Sequence, residues 1–192
     1  MQVSIFDDMT QCTEQEVARL LPLVSEQRRQ QAMGYRHLLG QYCSLKSYEM
    51  LVQLLHSHID HSINYTFVYN EYGRPSIVGG PCFSISHCKH AIAVAISDTP
   101  IGIDIEHLRT AKAELVARTM NETEQKKIWQ SEQPDWAFTQ LWTRKEAVLK
   151  MQGTGITSID GMKNTLVGLE HVDLQTHVNE KGGYAWSIAL RR

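Results

Sequence analysis

Ile101-Gly102-Ile103-Asp104-Ile105-Glu106 is the stretch of this 192-residue sequence that decides its fold. Side chains alternate between the two faces of a β-strand, so the isoleucines are predicted to share one face and the two carboxylates the other. Carboxylates held side by side repel each other unless a cation or a proton intervenes. The pattern therefore predicts a strand with a candidate metal cradle, although an Asp-x-Glu pair at a strand end is also typical of a solvated face.

Hydrophobic periodicity on both sides of this stretch predicts a chain that alternates between helical and extended segments. Predicted strands occupy 2–6, 65–69, 82–86, 91–97 and 101–106, and a closing hairpin occupies 166–178 and 184–190. Predicted helices begin after an N-cap at Thr13, with an interruption at Pro22, and then occupy 25–34, 37–56, 112–120, 121–131 and 135–152. The order of these segments predicts an α+β protein.

Composition is that of an ordinary globular protein, with 42% hydrophobic residues, 21% charged residues and a formal net charge of −2. There is no basic stripe typical of a nucleic-acid binder. The longest apolar run, at 91–96, is far below the roughly 20 residues that span a bilayer. The four cysteines include no C-x-x-C pair, which favours a reducing compartment. We therefore expect a cytoplasmic monomer that binds neither nucleic acid nor a membrane.

A second pattern places an aromatic, an acidic and a basic side chain on one helix face. Trp142, Glu146 and Lys150 recur at intervals of four residues. The same spacing is also typical of a surface Glu-Lys pair, worth about 0.3 kcal/mol, beside a core tryptophan. The pattern alone leaves both interpretations open.

A third pattern joins a hydroxyl, an imidazole and a guanidinium. Ser86 and His87 end a predicted strand, and Arg74 lies in the turn before Pro75. The planar guanidinium suits phosphate recognition. Taken singly, a histidine at a strand end is more often a structural residue, and an arginine in a turn is usually solvated.

Together these motifs resemble the 4'-phosphopantetheinyl transferase family, and most closely its single-chain, surfactin-synthetase-activating type. The resemblance is strongest over 72–156 and weaker over 25–52. Its motifs, in order, are Gly73-Arg74-Pro75, Ser84-Ile85-Ser86-His87, Ile101 to Glu106, Trp142-Thr143-x-Lys145-Glu146-Ala147-x-x-Lys150 and Gly153-Thr154-Gly155-Ile156.

The resemblance implies transfer of 4'-phosphopantetheine from coenzyme A to a serine of an apo acyl or peptidyl carrier protein, with release of adenosine 3',5'-bisphosphate. It also implies a pseudo-dimer of two similar α+β lobes, each a small, mainly antiparallel sheet packed with a long helix. Residues 1–98 would form the first lobe, and residues 99–192 the second, which carries the metal-binding motifs. Coenzyme A would lie between the lobes, and Glu49 would be the counterpart of Glu146.

The same resemblance assigns roles to individual residues. Asp104, Glu106 and Glu146 would bind Mg²⁺, which prefers oxygen ligands. Glu146 would also take the serine proton, directly or through a water held by the ion, and Lys150 would stabilise charge on the phosphates. Coenzyme A would be bound by Arg28, Ser44, Arg74, Ser86, His87 and Lys150, with Arg29 or Arg36 as replacements for Arg28.

Other interpretations stay open from the sequence. Glu124 matches an acidic position of the family, but it also has the capping-box spacing from Asn121. The apolar Leu115, Val116 and Met120 would suit a carrier-protein contact or the buried side of a helix.

Two other functions would also use these motifs. Three carboxylates and a lysine would suit a Mg²⁺-dependent hydrolase of a nucleotide pyrophosphate, or a non-catalytic module that binds coenzyme A or a carrier protein.

Arg74 stands where the family commonly has lysine, which keeps the charge but alters its hydrogen-bond geometry.

Overall fold

The computed structural model describes residues 1–58, 67–70, 75–154 and 160–192. The helices are α1 Glu14–Leu20, α2 Glu26–Met33, α3 Leu38–His58, α4 Ala113–Thr119, α5 Glu122–Trp129 and α6 Pro134–Gln152. The strands are β1 Gln2–Phe6, β2 Phe67–Tyr69, β3 Pro75–Ile77, β4 Cys82–His87, β5 Ile92–Ser97, β6 Ile101–His107, β7 Val172–Asn179 and β8 Tyr184–Arg191. This confirms the predicted α+β class.

Two segments differ from their predictions. Strand β3 was not predicted, because it has three residues and starts with a proline, which cannot donate to a ladder. Strand β7 begins at Val172, six residues later than predicted, since Gly168 adopts a left-handed backbone (φ 71°) that breaks the extended run. Periodicity alone does not distinguish an apolar turn from a strand.

Local capping signals set several helix boundaries where they were predicted. The Thr13 side chain accepts a hydrogen bond from the backbone of Glu16, and Asn121 and Glu124 form a reciprocal capping box. Helix α6 ends at Gly153 in the left-handed conformation (φ 80°). Among the described helices, none has both the length and the apolarity that crossing a membrane requires.

Antiparallel sheets pair with a long helix in each half of the described chain. One sheet has the order β1-β5-β4, with α3 packed on β5. The other has the order β6-β8-β7, with α6 packed on β6 and β8. Strands β2 and β3 form a separate short pair.

The two larger sheets pack on each other and separate the two long helices. In β5, Ile92 and Val94 join the core under α3, whereas Ala93 joins a second core shared with β6. That second core contains Ile103, so the opposite face of β6 is directed towards α6. The predicted alternation in β6 therefore places its carboxylates on the helix side.

The repeated combination of sheet and helix is compatible with two similar lobes. Strands β5 and β6 flank the predicted lobe boundary and belong to different sheets. The pseudo-dimer and the division into 1–98 and 99–192 stay predictions.

Gly102 allows β6 to approach α6 closely. A Cβ atom at this position would lie 2.0 Å from the carbonyl oxygen of Ala147 and 2.4 Å from the backbone nitrogen of Met151. Both neighbours are backbone atoms, so no side-chain rotation can relieve the clash. The absence of a side chain here therefore sets the distance between the strand and the helix.

We expect Gly102→Ala to lower the free energy of unfolding by roughly 1–3 kcal/mol or more, because α6 must move away from β6. Urea unfolding measures this change. Gly79→Ala is a suitable comparison, since nothing lies within 4 Å of its added methyl and only its left-handed backbone (φ 68°) is strained. An equal or larger loss at Gly79 would contradict the packing argument.

Candidate functional site

A cavity of about 420 Å³ lies between the two halves of the protein, and most of the predicted site residues line it. These are Arg28, Ser44, Ser86, His87, Asp104, Glu106, Glu146 and Lys150. Tyr35, Ser47, Pro75 and Ile85 complete the lining. Arg74 lies outside the described residues. Side chains from α2, α3, β4, β6 and α6 are therefore brought to one place, as the motif order suggested.

Asp104 is the most heavily engaged carboxylate of the cavity. Its Oδ1 accepts hydrogen bonds from Lys150 Nζ at 2.7 Å and from Ser86 Oγ at 2.7 Å, and Lys150 Nζ also donates to Ser86 Oγ at 2.8 Å. Asp104 is only 4% exposed, and its Oδ2 has no hydrogen-bond partner among the described residues. A buried carboxylate oxygen without a partner is costly, so it marks a position where a donor or a cation would be stabilising.

Glu106 lies on the same face of β6, two residues further on. Its Oε1 accepts a hydrogen bond from Arg109 Nη1 at 3.1 Å. Burial and the nearby Asp104 raise the pKa of Glu106, and Arg109 opposes this effect only in part. Sequence reasoning did not single out Arg109, although its position three residues after Glu106 was a usable signal.

Glu146 carries the most perturbed carboxyl of the cavity. Burial, followed by repulsion from Asp104, raises the pKa of Glu146 to about 7, even though Lys150 acts in the opposite direction. Without a bound cation, this side chain therefore exchanges a proton near neutral pH.

Glu146 and Lys150 on α6 do not form a solvated surface pair beside Trp142. Lys150 bonds across to Asp104 on β6, and Glu146 and Lys150 both line the cavity. Trp142 is 7% exposed and packs with Phe138, so the aromatic member belongs to the adjoining core.

The first half of the chain contributes a cation and a hydroxyl. Arg28 and Ser44 line the cavity, whereas Arg29 pairs with Glu26 on the helix surface and Arg36 is exposed. Of the three arginines considered from the sequence, the fold thus brings Arg28 to the cavity.

His87 lies at the rim of the cavity. The surrounding protein displaces water from the ring and Lys150 is nearby, so the pKa of His87 lies below its usual value, although the side chain still reaches solvent. A neutral imidazole at neutral pH can donate one hydrogen bond and accept another.

Glu124 does not line this cavity, and its contacts are structural. Besides the capping box with Asn121, it forms a 2.8 Å ion pair with Lys145, which is fully buried. Val116 and Met120 are likewise fully buried in the core next to α6. The fold therefore supports a structural role for Glu124, Val116 and Met120.

Glu49 of α3 has electrostatic surroundings opposite to those of Glu146 of α6. It pairs with Lys46 at 2.7 Å and with Arg19 at 3.0 Å. Burial alone would raise the pKa of Glu49, but these two cations outweigh it and hold the pKa below its usual value. Glu146, in contrast, faces other carboxylates.

The chemistry of the donors suits a hard cation. Three carboxylates line one cavity, and the residues that the structure describes offer no hydrogen-bond partner to Asp104 Oδ2. Within the described ranges, no three His, Cys, Asp or Glu side chains converge closely enough to form a preassembled metal centre. An ion that takes few carboxylates and keeps waters, such as Mg²⁺, fits this arrangement.

Comparison with known proteins gives consistent matches. The family model described as the 4'-phosphopantetheinyl transferase superfamily matches residues 100–191. The 4'-phosphopantetheinyl transferase gsp of Aneurinibacillus migulanus is 35% identical over 128 residues, which cover 64% of this chain and 50% of that protein. The 4'-phosphopantetheinyl transferase Sfp of Bacillus subtilis is 29% identical over 153 residues, covering 76% and 67%. The chain thus spans about half to two thirds of the length of these relatives.

We expect the free energy of unfolding of the cation-free protein to fall as pH rises from about 4.5 to about 7. The folded protein binds the Glu146 proton more tightly than the unfolded chain does, since the pKa of Glu146 is raised from 4.5 to about 7. Glu106 contributes in the same direction because its pKa is also raised. Glu146→Gln should reduce the slope, as measured by urea unfolding in a chelator at several pH values.

Glu49→Gln is the matched control for this measurement. The pKa of Glu49 is lowered, so its stabilisation is present above its usual pKa and is lost as pH falls. Removing it should lower stability at neutral pH without reducing the decline towards pH 7. A decline that persists unchanged in Glu146→Gln would contradict the assignment.

Proposed function

We propose that the chain is a member of the 4'-phosphopantetheinyl transferase superfamily, whose family model and relatives it matches, and that it transfers 4'-phosphopantetheine from coenzyme A to a serine of an apo acyl or peptidyl carrier protein. The observation that carries this proposal is the cavity between the two halves. It combines the carboxylates of Asp104, Glu106 and Glu146 with the cations Lys150 and Arg28. Such a combination suits a substrate with a diphosphate bridge and a further phosphate.

The proposed reaction is a substitution at phosphorus. The serine oxygen forms a bond to the β-phosphorus of coenzyme A, the bond from that phosphorus to the bridging oxygen breaks, and adenosine 3',5'-bisphosphate leaves with the electron pair. The serine proton goes to a base. Positioning and stabilisation of charge supply most of the rate in reactions of this kind.

Asp104, Glu106 and Glu146 are the proposed Mg²⁺ ligands. The unpartnered Oδ2 of Asp104 and the raised pKa of Glu146 indicate negative charge that the described residues do not fully balance. When bound, Mg²⁺ would neutralise charge on the diphosphate and on the departing phosphate.

Glu146 and Lys150 are the proposed catalytic residues. With a pKa of about 7, the Glu146 carboxylate can hold a proton near neutral pH, as a general base requires. Coordination of a cation would reduce this basicity, so transfer of the serine proton through a water is preferred over direct transfer to Glu146. Lys150 Nζ, placed by Asp104 and Ser86, is proposed to stabilise the phosphates.

Arg28, Ser44, Ser86 and His87 are proposed to bind coenzyme A, and Arg74 retains this role as a proposal from the sequence. Arg28 and Ser44 line the part of the cavity formed by α2 and α3. A guanidinium and hydroxyls suit a terminal phosphate such as the 3'-phosphate.

We retain the cytoplasm as the proposed compartment, with the protein acting as a monomer. The observation that supports the compartment is that all four cysteines, two of them buried, are free thiols, as is usual in a reducing environment.

The central test is incubation of the full chain with coenzyme A, Mg²⁺ and apo carrier proteins from fatty-acid, polyketide and peptide synthesis. Intact mass spectrometry should show the gain of one phosphopantetheine group on at least one carrier. Release of adenosine 3',5'-bisphosphate without any carrier would instead favour a hydrolase. Binding of coenzyme A with no turnover would favour a non-catalytic module.

Asp104→Ala and Glu146→Ala should each lower the transfer rate by at least about 100-fold, because each removes charge needed to organise the diphosphate. Urea unfolding of both variants checks that they fold. Glu122→Ala, which removes an exposed carboxylate from α5, should leave the rate unchanged. Near-wild-type transfer by either cavity variant would refute its assigned role.

Arg28→Ala should raise the KM for coenzyme A by roughly tenfold, the loss of about one charged hydrogen bond. With 3'-dephospho-coenzyme A as substrate, the same substitution should have little effect. Arg29→Ala is the matched control from the same helix, since Arg29 does not line the cavity. An equal effect of Arg28→Ala on both substrates would exclude a contact with the 3'-phosphate.

A further inference from the structure

Arg109 is a cation that the proposed reaction does not use, and it contacts Glu106, which lines the cavity. Its guanidinium donates to Glu106 Oε1 at 3.1 Å and lies over the ring of Trp142, 4.1 Å from the ring centroid. Its backbone nitrogen donates to Thr139 Oγ1 at 3.0 Å. Contacts to β6 and to two positions of α6 thus hold this residue.

Trp142 supplies a rigid support for that guanidinium. It is 7% exposed and its ring packs against Phe138, with ring centroids 5.9 Å apart. A planar guanidinium stacks well on such a face, and the attraction orients its N–H groups at the same time. The tryptophan of the α6 motif therefore acts on the cavity through Arg109, although it does not line the cavity itself.

Each of the two carboxylates on β6 has one oxygen engaged by a cation. Asp104 Oδ1 is bound by Lys150, and Glu106 Oε1 is bound by Arg109. Asp104 Oδ2 is buried without a partner among the described residues. Glu106 Oε2 lies 3.5 Å from His107 Nδ1, and that nitrogen makes no hydrogen bond within the described part of the chain. Apart from that 3.5 Å contact, the described residues leave Asp104 Oδ2 and Glu106 Oε2 to a ligand.

A hydrogen bond from a cation to one oxygen of a carboxylate fixes its orientation and lowers the charge available on that oxygen, which favours binding of a metal through the other oxygen alone. Mg²⁺ takes six oxygen ligands in a compact octahedron and keeps several waters, which single-oxygen carboxylates suit. Ca²⁺ takes six to eight ligands and gains from carboxylates that bind through both oxygens. We infer that Arg109, supported by Trp142, is a positioning residue that keeps Glu106 a single-oxygen ligand and so favours Mg²⁺ over Ca²⁺. The inference rests on the proposed function, because it takes these carboxylates as the metal ligands.

Calorimetric titration of the full chain with Mg²⁺ or Ca²⁺ alone, without coenzyme A or carrier protein, tests this inference. The quantity to compare is the ratio of the Kd for Ca²⁺ to the Kd for Mg²⁺. Arg109→Met should lower this ratio by roughly tenfold, the usual scale for loss of a residue that orients a metal ligand. Loss of a positive charge strengthens the binding of both ions, so the ratio isolates the effect on selectivity.

Two further variants separate orientation from charge and from folding. Arg109→Lys keeps the charge and the aliphatic stem but loses the planar fork, so its ratio should lie between those of the wild type and Arg109→Met. If urea unfolding shows that Arg109→Met does not fold, Arg109→Lys alone tests the effect on the ratio of Kd values. Lys112→Met removes an exposed cation from the same connection and should leave the ratio unchanged.

The outcomes distinguish the inference from the proposed function. Mg²⁺ binding with a ratio that is unchanged in both Arg109 variants overturns the role of Arg109 and leaves the metal site intact. A wild-type chain that binds neither ion overturns the inference and the proposed ligand set together. The transfer assay, performed separately, then decides whether the proposed activity survives without that ligand set.

Discussion

The hydrogen bonds that Asp104 accepts from Lys150 and Ser86 are the contacts on which the rest of the site depends. A carboxylate this deeply buried is costly unless charged and polar groups compensate it. Here the compensating groups come from α6 and β4, so one residue of β6 joins three elements that are distant in sequence. The bare backbone of Gly102 makes this possible, because it lets β6 come close enough to α6 for the bonds to form.

The remaining charge of the cavity follows from an imbalance between carboxylates and nearby cations. Lys150 engages Asp104 and Arg109 engages Glu106, but Glu146 faces both acids, and its pKa rises to about 7. Asp104 Oδ2, for which the described part of the chain supplies no hydrogen-bond partner, belongs to the same imbalance. A site in this condition is more stable with a bound cation or proton, which is the physical basis of the proposed Mg²⁺ dependence.

Glu49 and Glu146 show that the same residue type in comparable helices can serve opposite purposes. Two cations surround Glu49, and its pKa falls. Loss of solvent around Glu146 and repulsion from nearby carboxylates raise its pKa. If the two halves are related lobes, as the resemblance implies, the difference lies in the neighbours that each helix meets and not in the helix itself.

The sequence by itself determined features that depend on a few neighbouring residues. The alternation over 101–106 predicted which face of β6 carries the carboxylates, and Thr13 and Gly153 predicted where helices begin and end. The motif order also predicted most of the residues that line the cavity. Only the tertiary structure decided which oxygen of Asp104 is engaged, that Arg109 joins Glu106 to Trp142, and that Arg28 rather than its neighbours reaches the cavity. The reason is that caps and strand faces are set by bonds within a few residues, whereas ion pairs, burial and pKa shifts depend on which distant side chains the packing brings together.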